Sequence, residues 1–275
     1  MFVYRDEVMK RVKEHHDSLV SAYEVMVTAL QGSQNYGLDE YSEEYMSDVD
    51  TKSIVLPHFK DFVCNSKPVS KVVEMENGEH AEVKDIRIMM EMFKKENVSY
   101  LELLYSKYVV VNPKYKDLWE MLVNNRDKIF KAHPTRLANA IAGMGLEKRK
   151  ALCHPYPTIK YKIDKWGFDG KQLSHCVRLY EFFCRTLAGT PHYESSCREG
   201  LMNFKKQLDW NGKRELTPQE AIKICDFYCA EMGKLKDWVK ENSTDNGDAA
   251  VLDTVTYEAL SRMFKEEILE GRENG

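Results

Sequence analysis

Two aspartates one residue apart, Asp48 and Asp50, lie a short way after the segment Gly32-Ser33-Gln34-Asn35-Tyr36-Gly37. On an extended strand, residues i and i+2 point to the same side, so the two carboxylates are expected to leave one face together. Paired carboxylates repel each other unless a hard cation lies between them. Magnesium takes oxygen ligands and usually shares its shell with substrate phosphates. Upstream, glycine permits a tight turn at a strand end, where backbone N–H groups and a serine hydroxyl can donate to phosphate oxygens. Either motif alone is commonplace, as solvated surface or as a simple turn. Together, one supplies phosphate contact and the other supplies metal, which predicts metal-assisted phosphoryl transfer.

A second set lies far downstream. Lys171, His175 and Arg178 fall at i, i+4 and i+7, one face of a helix. Such a face suits a triphosphate, with His175 as a hydrogen-bond donor, or else is a solvated basic surface around a half-buried imidazole. Lys148-Arg149-Lys150 and the series Lys160, Lys162, Lys165 are of a kind that steers a polyanion, although charge runs are usually only solvated. Glu102, between leucines, is expected to pair structurally with a base such as Lys107 or Arg87. Seven cysteines, at 64, 153, 176, 184, 197, 225 and 229, form no CxxC pair. Cys225 and Cys229 are one helical turn apart, and His175 adjoins Cys176, yet buried reduced thiols explain both without a structural zinc.

The elements that must position these groups are legible in the apolar pattern. Residues 4–19 read as an amphipathic helix. Residues 23–30, valine-rich and closed by Gly32, read as a buried strand, and 47–57, stopped by Pro57, as a second. Residues 71–75 and 80–84 flank Asn77-Gly78, a hairpin dipeptide. From Asp85 the pattern turns helical, with Ile86, Met89, Met90 and Phe93 on one face. After Pro113 the signal is helical almost throughout. Thr217-Pro218-Gln219-Glu220 has the form of a capping box with proline at the first helical position, and predicts a helix reaching Trp238 or beyond. A polar break at 241–248 precedes an amphipathic segment near 254–270.

In a chain of 275 residues, 43% hydrophobic and 31% charged, there is enough apolar material for a core, which excludes a disordered chain. No run approaches the ~18 apolar residues of a membrane helix, and the charged start lacks a signal-peptide core. A soluble, cytoplasmic protein is expected. The net charge of −4 is unevenly spread. Residues 1–125 carry 15 basic and 22 acidic side chains, 126–240 carry 22 and 13, and 241–275 carry 3 and 9. This suggests two domains and an appendage: an acidic domain over 1–125 that holds metal, a basic helical domain over 126–240 that faces a polyanion, and an acidic polar break with a final helix over 241–275.

The pattern Gly-Ser-x-x-Tyr-Gly followed by Ser47-Asp48-Val49-Asp50 resembles the DNA polymerase beta nucleotidyltransferase superfamily. More narrowly, it is similar to predicted nucleotidyltransferases of bacteria and phages, some of them associated with RNA ligases. Residues 83–108 and 166–183 extend that likeness, which covers most of 20–190. The resemblance implies an α/β (α+β) fold, a mixed sheet with flanking helices followed by a mainly helical domain. It also implies transfer of a nucleoside monophosphate from a nucleoside triphosphate to an acceptor hydroxyl, with Mg2+ or Mn2+ as cofactor. Asp48, Asp50 and a third carboxylate, Glu82 with Asp85 as competitor, would be catalytic and hold the metal. Gly32, Ser33, Lys171, His175 and Arg178 would bind the nucleotide. RNA or tRNA is a natural acceptor. A protein or a small molecule is the alternative acceptor, and a non-catalytic nucleotide-binding protein on the same fold is a further alternative.

Overall fold

A computed structural model describes residues 2–41, 47–189, 191–245, 247 and 250–273. The chain divides into two compact units. One comprises residues 1–35, 39–132 and 247–275, the other 36–38 and 133–246. The architecture is mixed α/β: one five-stranded sheet with flanking helices, and a separate helical assembly.

The first unit opens with helix α1 (Phe2–Leu19), then strand β1 (Glu24–Gln31), a short turn of helix α2 (Ser33–Tyr36) and strand β2 (Asp50–Leu56). Helix α3 (Phe59–Val63) leads to the hairpin β3 (Ser70–Glu74) and β4 (His80–Asp85), closed by Gly78 at φ +82. Helices α4 (Ile86–Lys94) and α5 (Val98–Leu101), a 3-10 turn (Glu102–Tyr105), β5 (Val109–Val111), α6 (Lys116–Asn124) and α7 (Arg126–Phe130) follow. The strand order is β3-β4-β2-β1-β5, with only β2 and β4 parallel. β1 is buried because Val25, Met26, Val27, Ala29 and Leu30 lose nearly all contact with water; each large side chain among them contributes roughly 1.5–3 kcal/mol. α1 covers one face, its Val8, Val12 and Leu19 meeting Leu30, Val49, Val25 and Val55. α4 buries Ile86, Met89, Met90 and Phe93, the face its periodicity predicts.

Two features differ from the sequence reading. The second strand begins at Asp50 rather than residue 47, so Asp48 lies in the loop before it. The acidic C-terminal segment is not an appendage: helix α13 (Ala250–Glu273) packs within the first unit. Its acids and bases find partners there. Arg262 donates twice to Asp117, at 2.7 and 2.6 Å, Asp253 accepts from Lys94 at 2.6 Å, and Phe264 lies between Phe59 and Phe62.

The second unit contains α8 (Pro134–Ala151), α9 (Lys160–Trp166), α10 (Gly170–Leu187), α11 (Arg198–Lys205) and α12 (Pro218–Asn242). α8, α10 and α12 pack mutually, and α11 lies on α10. Gly145 lets α8 approach α12, since a Cβ there would fall 2.3 Å from Met232 Cε. The capping box at Thr217 and Glu220 forms as read. Among the described residues no helix is long and apolar enough to cross a membrane.

Candidate functional site

Antiparallel pairing of β1 with β2 sets Gln31 opposite Asp50. The Gly32-Ser33 turn therefore emerges beside the start of β2. Gln34 ties the two segments, its Nε2 donating to the Asp48 carbonyl at 2.9 Å and to Tyr41 Oη at 3.1 Å. Gly32 has φ +109, a conformation that favours glycine, and a Cβ there would meet no atom within 4 Å. Its N–H is already engaged, donating to Glu102 Oε1 at 2.7 Å, and Asn35 Nδ2 donates to the same oxygen at 2.7 Å. Glu102 is fully buried. The turn thus gives Glu102 a structural role. Ser33 Oγ donates to Gln34 Oε1 at 3.2 Å.

The Asp48 side chain is exposed. Asp50 Oδ1 accepts from the His80 N–H at 3.3 Å, and its side chain is 49% exposed. The loop between them is braced from beneath by buried Glu79, which accepts from Val49 N–H and from Arg11 and lies 3.3 Å from His15 Nε2. His15 Nδ1 is 3.0 Å from Thr51 Oγ1, and His16 Nδ1 is 3.1 Å from Thr28 Oγ1. Burial, opposed for His15 mainly by Glu79, holds both imidazoles below their ordinary pKa. Glu79 gave no sequence signal because Val49, His15 and Arg11, which it joins, are 30 to 68 residues away.

The parallel register places Lys52, not Asp50, opposite Glu82. Glu82 Oε1 accepts from Tyr100 Oη at 2.7 Å and lies 2.9 Å from Lys84 Nζ, while Oε2 lies 3.3 Å from Lys52 Nζ. Burial would raise the Glu82 pKa, but Tyr100 and the two lysines outweigh it and hold it low. Lys52 is 2% exposed, donates to the Ser99 carbonyl at 3.0 Å and lies 3.9 Å from the Tyr100 ring centroid. Asp85 caps α4 through Arg87 N–H and binds the Arg87 guanidinium, so it is not available as a ligand.

As donors, Asp48 and Asp50 suit a hard divalent ion: both are carboxylates with access to solvent. Glu82 fits only if it exchanges the lysines for metal. Among the described residues, Asp48, Asp50 and Glu82 do not form a set whose ligand atoms all lie within 4.8 Å of one another.

In the second unit, Lys171, His175 and Arg178 share a face of α10 as their spacing predicts, but Arg178 is 3% exposed rather than solvated. Its guanidinium carbon lies 3.7 Å from the Tyr36 ring centroid, and His175 meets the same ring edge-on at 6.3 Å. Arg178 Nε and Nη1 have no hydrogen-bond partner, nor does the buried Ser174 Oγ one turn earlier. Burial first, then the charges of Arg178, Lys171, Lys148 and Lys205, hold the His175 pKa well below its usual value. Lys148 on α8 is likewise depressed, chiefly by burial. Arg149, by contrast, pairs with Asp226, Lys160 with Asp164 and Lys162 with Asp169. That Tyr36, Ser174 and Lys148 share this neighbourhood escapes sequence reasoning, because only packing of α10 defines it.

No protein-family model matches the chain, and no curated protein matches it. Among solved structures it is similar to a nucleotidyltransferase-like protein of Exiguobacterium sibiricum 255-15, at 8% identity and a TM-score of 0.31. That alignment covers 96% of this chain and 91% of the other. A likeness of that degree carries no weight for the site, which stands on its own residues.

Proposed function

We propose that the chain is a metal-dependent nucleotidyltransferase, moving a nucleoside monophosphate from a nucleoside triphosphate to an acceptor hydroxyl, with RNA or tRNA as one candidate acceptor class. The observation that carries the reading is the pairing of Gln31 with Asp50, which sets the Gly32-Ser33 turn beside Asp48 and Asp50. In this reading Asp48 and Asp50 hold Mg2+ or Mn2+, which when bound supplies positive charge to the phosphates and lowers the pKa of an attacking hydroxyl. Ser33 offers a hydroxyl to phosphate oxygen. Lys171 and Arg178 neutralise phosphate charge, and His175, held neutral, donates one ring N–H. Glu82 joins the catalytic set by releasing Lys52 and Lys84.

The engagement of Glu82 favours a second reading, a nucleotide-binding protein without transfer activity. The two separate cleanly. Purified chain is incubated with magnesium, each labelled triphosphate in turn, and total cellular RNA. Label on RNA supports the first reading with its acceptor, and label on protein supports transfer to a different acceptor. Binding of triphosphate with label nowhere supports the second reading.

A further inference from the structure

Three of the seven cysteines, distant in sequence, meet inside the second unit. Cys176 lies on α10, and Cys225 and Cys229 lie one turn apart on α12; their sulfurs all fall within 4.8 Å of one another. Cys176 Sγ and Cys229 Sγ are 3.7 Å apart. Zinc–thiolate bonds are about 2.3 Å, so sulfurs sharing one tetrahedral ion sit about 3.8 Å apart. The triangle is therefore of a size that one ion spans with only rotamer adjustments. Cys176 and Cys225 are fully buried, while Cys229 is partly exposed and gives an ion a way in.

The i, i+4 pair alone does not distinguish ligands from packing thiols; the third sulfur, contributed by another helix, completes a triangle of ligand size. Thiolates select soft or borderline cations over magnesium. We propose that Cys176, Cys225 and Cys229 form a three-thiolate site for one thiophilic cation of the zinc(II) class, tying α10 to α12 and leaving its fourth position to solvent. Each ligating thiol gives its proton to water as its sulfur–metal bond forms, and no electron transfer is involved. The site is independent of the proposed transfer chemistry, which uses hard oxygen ligands in the first unit.

The test uses full-length protein, reduced and freed of metal with a chelator, then titrated with cobalt(II). The expected result is a thiolate-to-cobalt absorption in the near ultraviolet that saturates at one equivalent and is abolished by zinc. Cys176→Ser and Cys229→Ser should lose this absorption, whereas Cys64→Ser should keep it. Absence of the absorption in the native chain would overturn the proposal, as would its survival in folded Cys229→Ser. Because a buried serine can impair folding, the native chain is also alkylated with and without zinc and mapped by mass spectrometry. Protection of the partly exposed Cys229 by zinc beside an unprotected Cys64 supports the site; equal labelling of Cys229 in both conditions rejects it.

Discussion

Lys52 in the first unit and Arg178 in the second are both long cations taken almost wholly out of water, and each lies over a tyrosine ring. Lys52 also has Glu82 and the Ser99 carbonyl. Arg178 leaves two of its nitrogens without a partner, among further cations. Burying a charge costs several kcal/mol unless partners offset it, so the two sites report different uses. The answered lysine holds the sheet face in place. The unanswered arginine is a standing cost to the fold that a polyanion would remove.

The widest effect concerns the acids of the first unit that lie outside the Lys52 network. Asp48→Asn and Asp50→Asn should abolish transfer in the labelled-triphosphate assay while thermal melting stays at or above that of the native chain. Full activity in both variants would show that the chemistry lies elsewhere. Next, Glu82→Leu should cost about 3 kcal/mol in urea denaturation, the usual penalty for stranding a buried partner. Adding Lys52→Met should recover most of it. Equal stability of the single variant would mean that Lys52 is no better answered than Arg178.

Arg178→Met should behave oppositely. It keeps an apolar side chain of similar length in the buried position and removes a charge with two unpartnered nitrogens, so melting should hold or rise. Triphosphate affinity should fall by the worth of a charge-assisted hydrogen bond, about 1.5–3 kcal/mol or roughly 10- to 150-fold. Calorimetry with triphosphate and nucleoside checks it, the nucleoside being expected to lose little. A drop in melting temperature with unchanged affinity would make Arg178 as structural as Lys52.

The smallest effect is on pH. Burial lowers the folded-state pKa of His15 and His16. Below about 6.5 the unfolded chain therefore binds more protons than the folded one, and stability declines as pH falls. Each histidine contributes at most about 1.4 kcal/mol per pH unit. Urea melts at pH 7.5, 6.5 and 5.5 should show the decline, and His16→Gln should flatten part of it. A pH-independent midpoint over that range would contradict the burial of these rings.

The elements and their faces were legible because periodicity and capping are local. The buried face of α4, the Asn77-Gly78 hairpin and the Thr217 capping box each depend on neighbours within a few residues. The charge pairings were not legible. The resemblance implies Glu82 as a metal ligand, and nothing nearby in sequence announces that Lys52, thirty residues earlier, stands opposite it. The spacing of Lys171, His175 and Arg178 was evident, but whether that face was wet or buried depended on Tyr36. Three thiols separated by up to 53 residues likewise carry no periodic signal.

The return of α13 to the first unit has a consequence for biosynthesis. Gly247 N–H donates to the Ala132 carbonyl at 3.1 Å, so the chain re-enters the first unit where it left. As the polypeptide leaves the ribosome, the first unit lacks the helix that supplies Arg262 to Asp117 until the entire inserted helical unit is synthesised. A chain cut after residue 246 should leave the earlier unit with a bare apolar strip around Phe59 and Phe62, a surface suited to chaperones until translation supplies its cover.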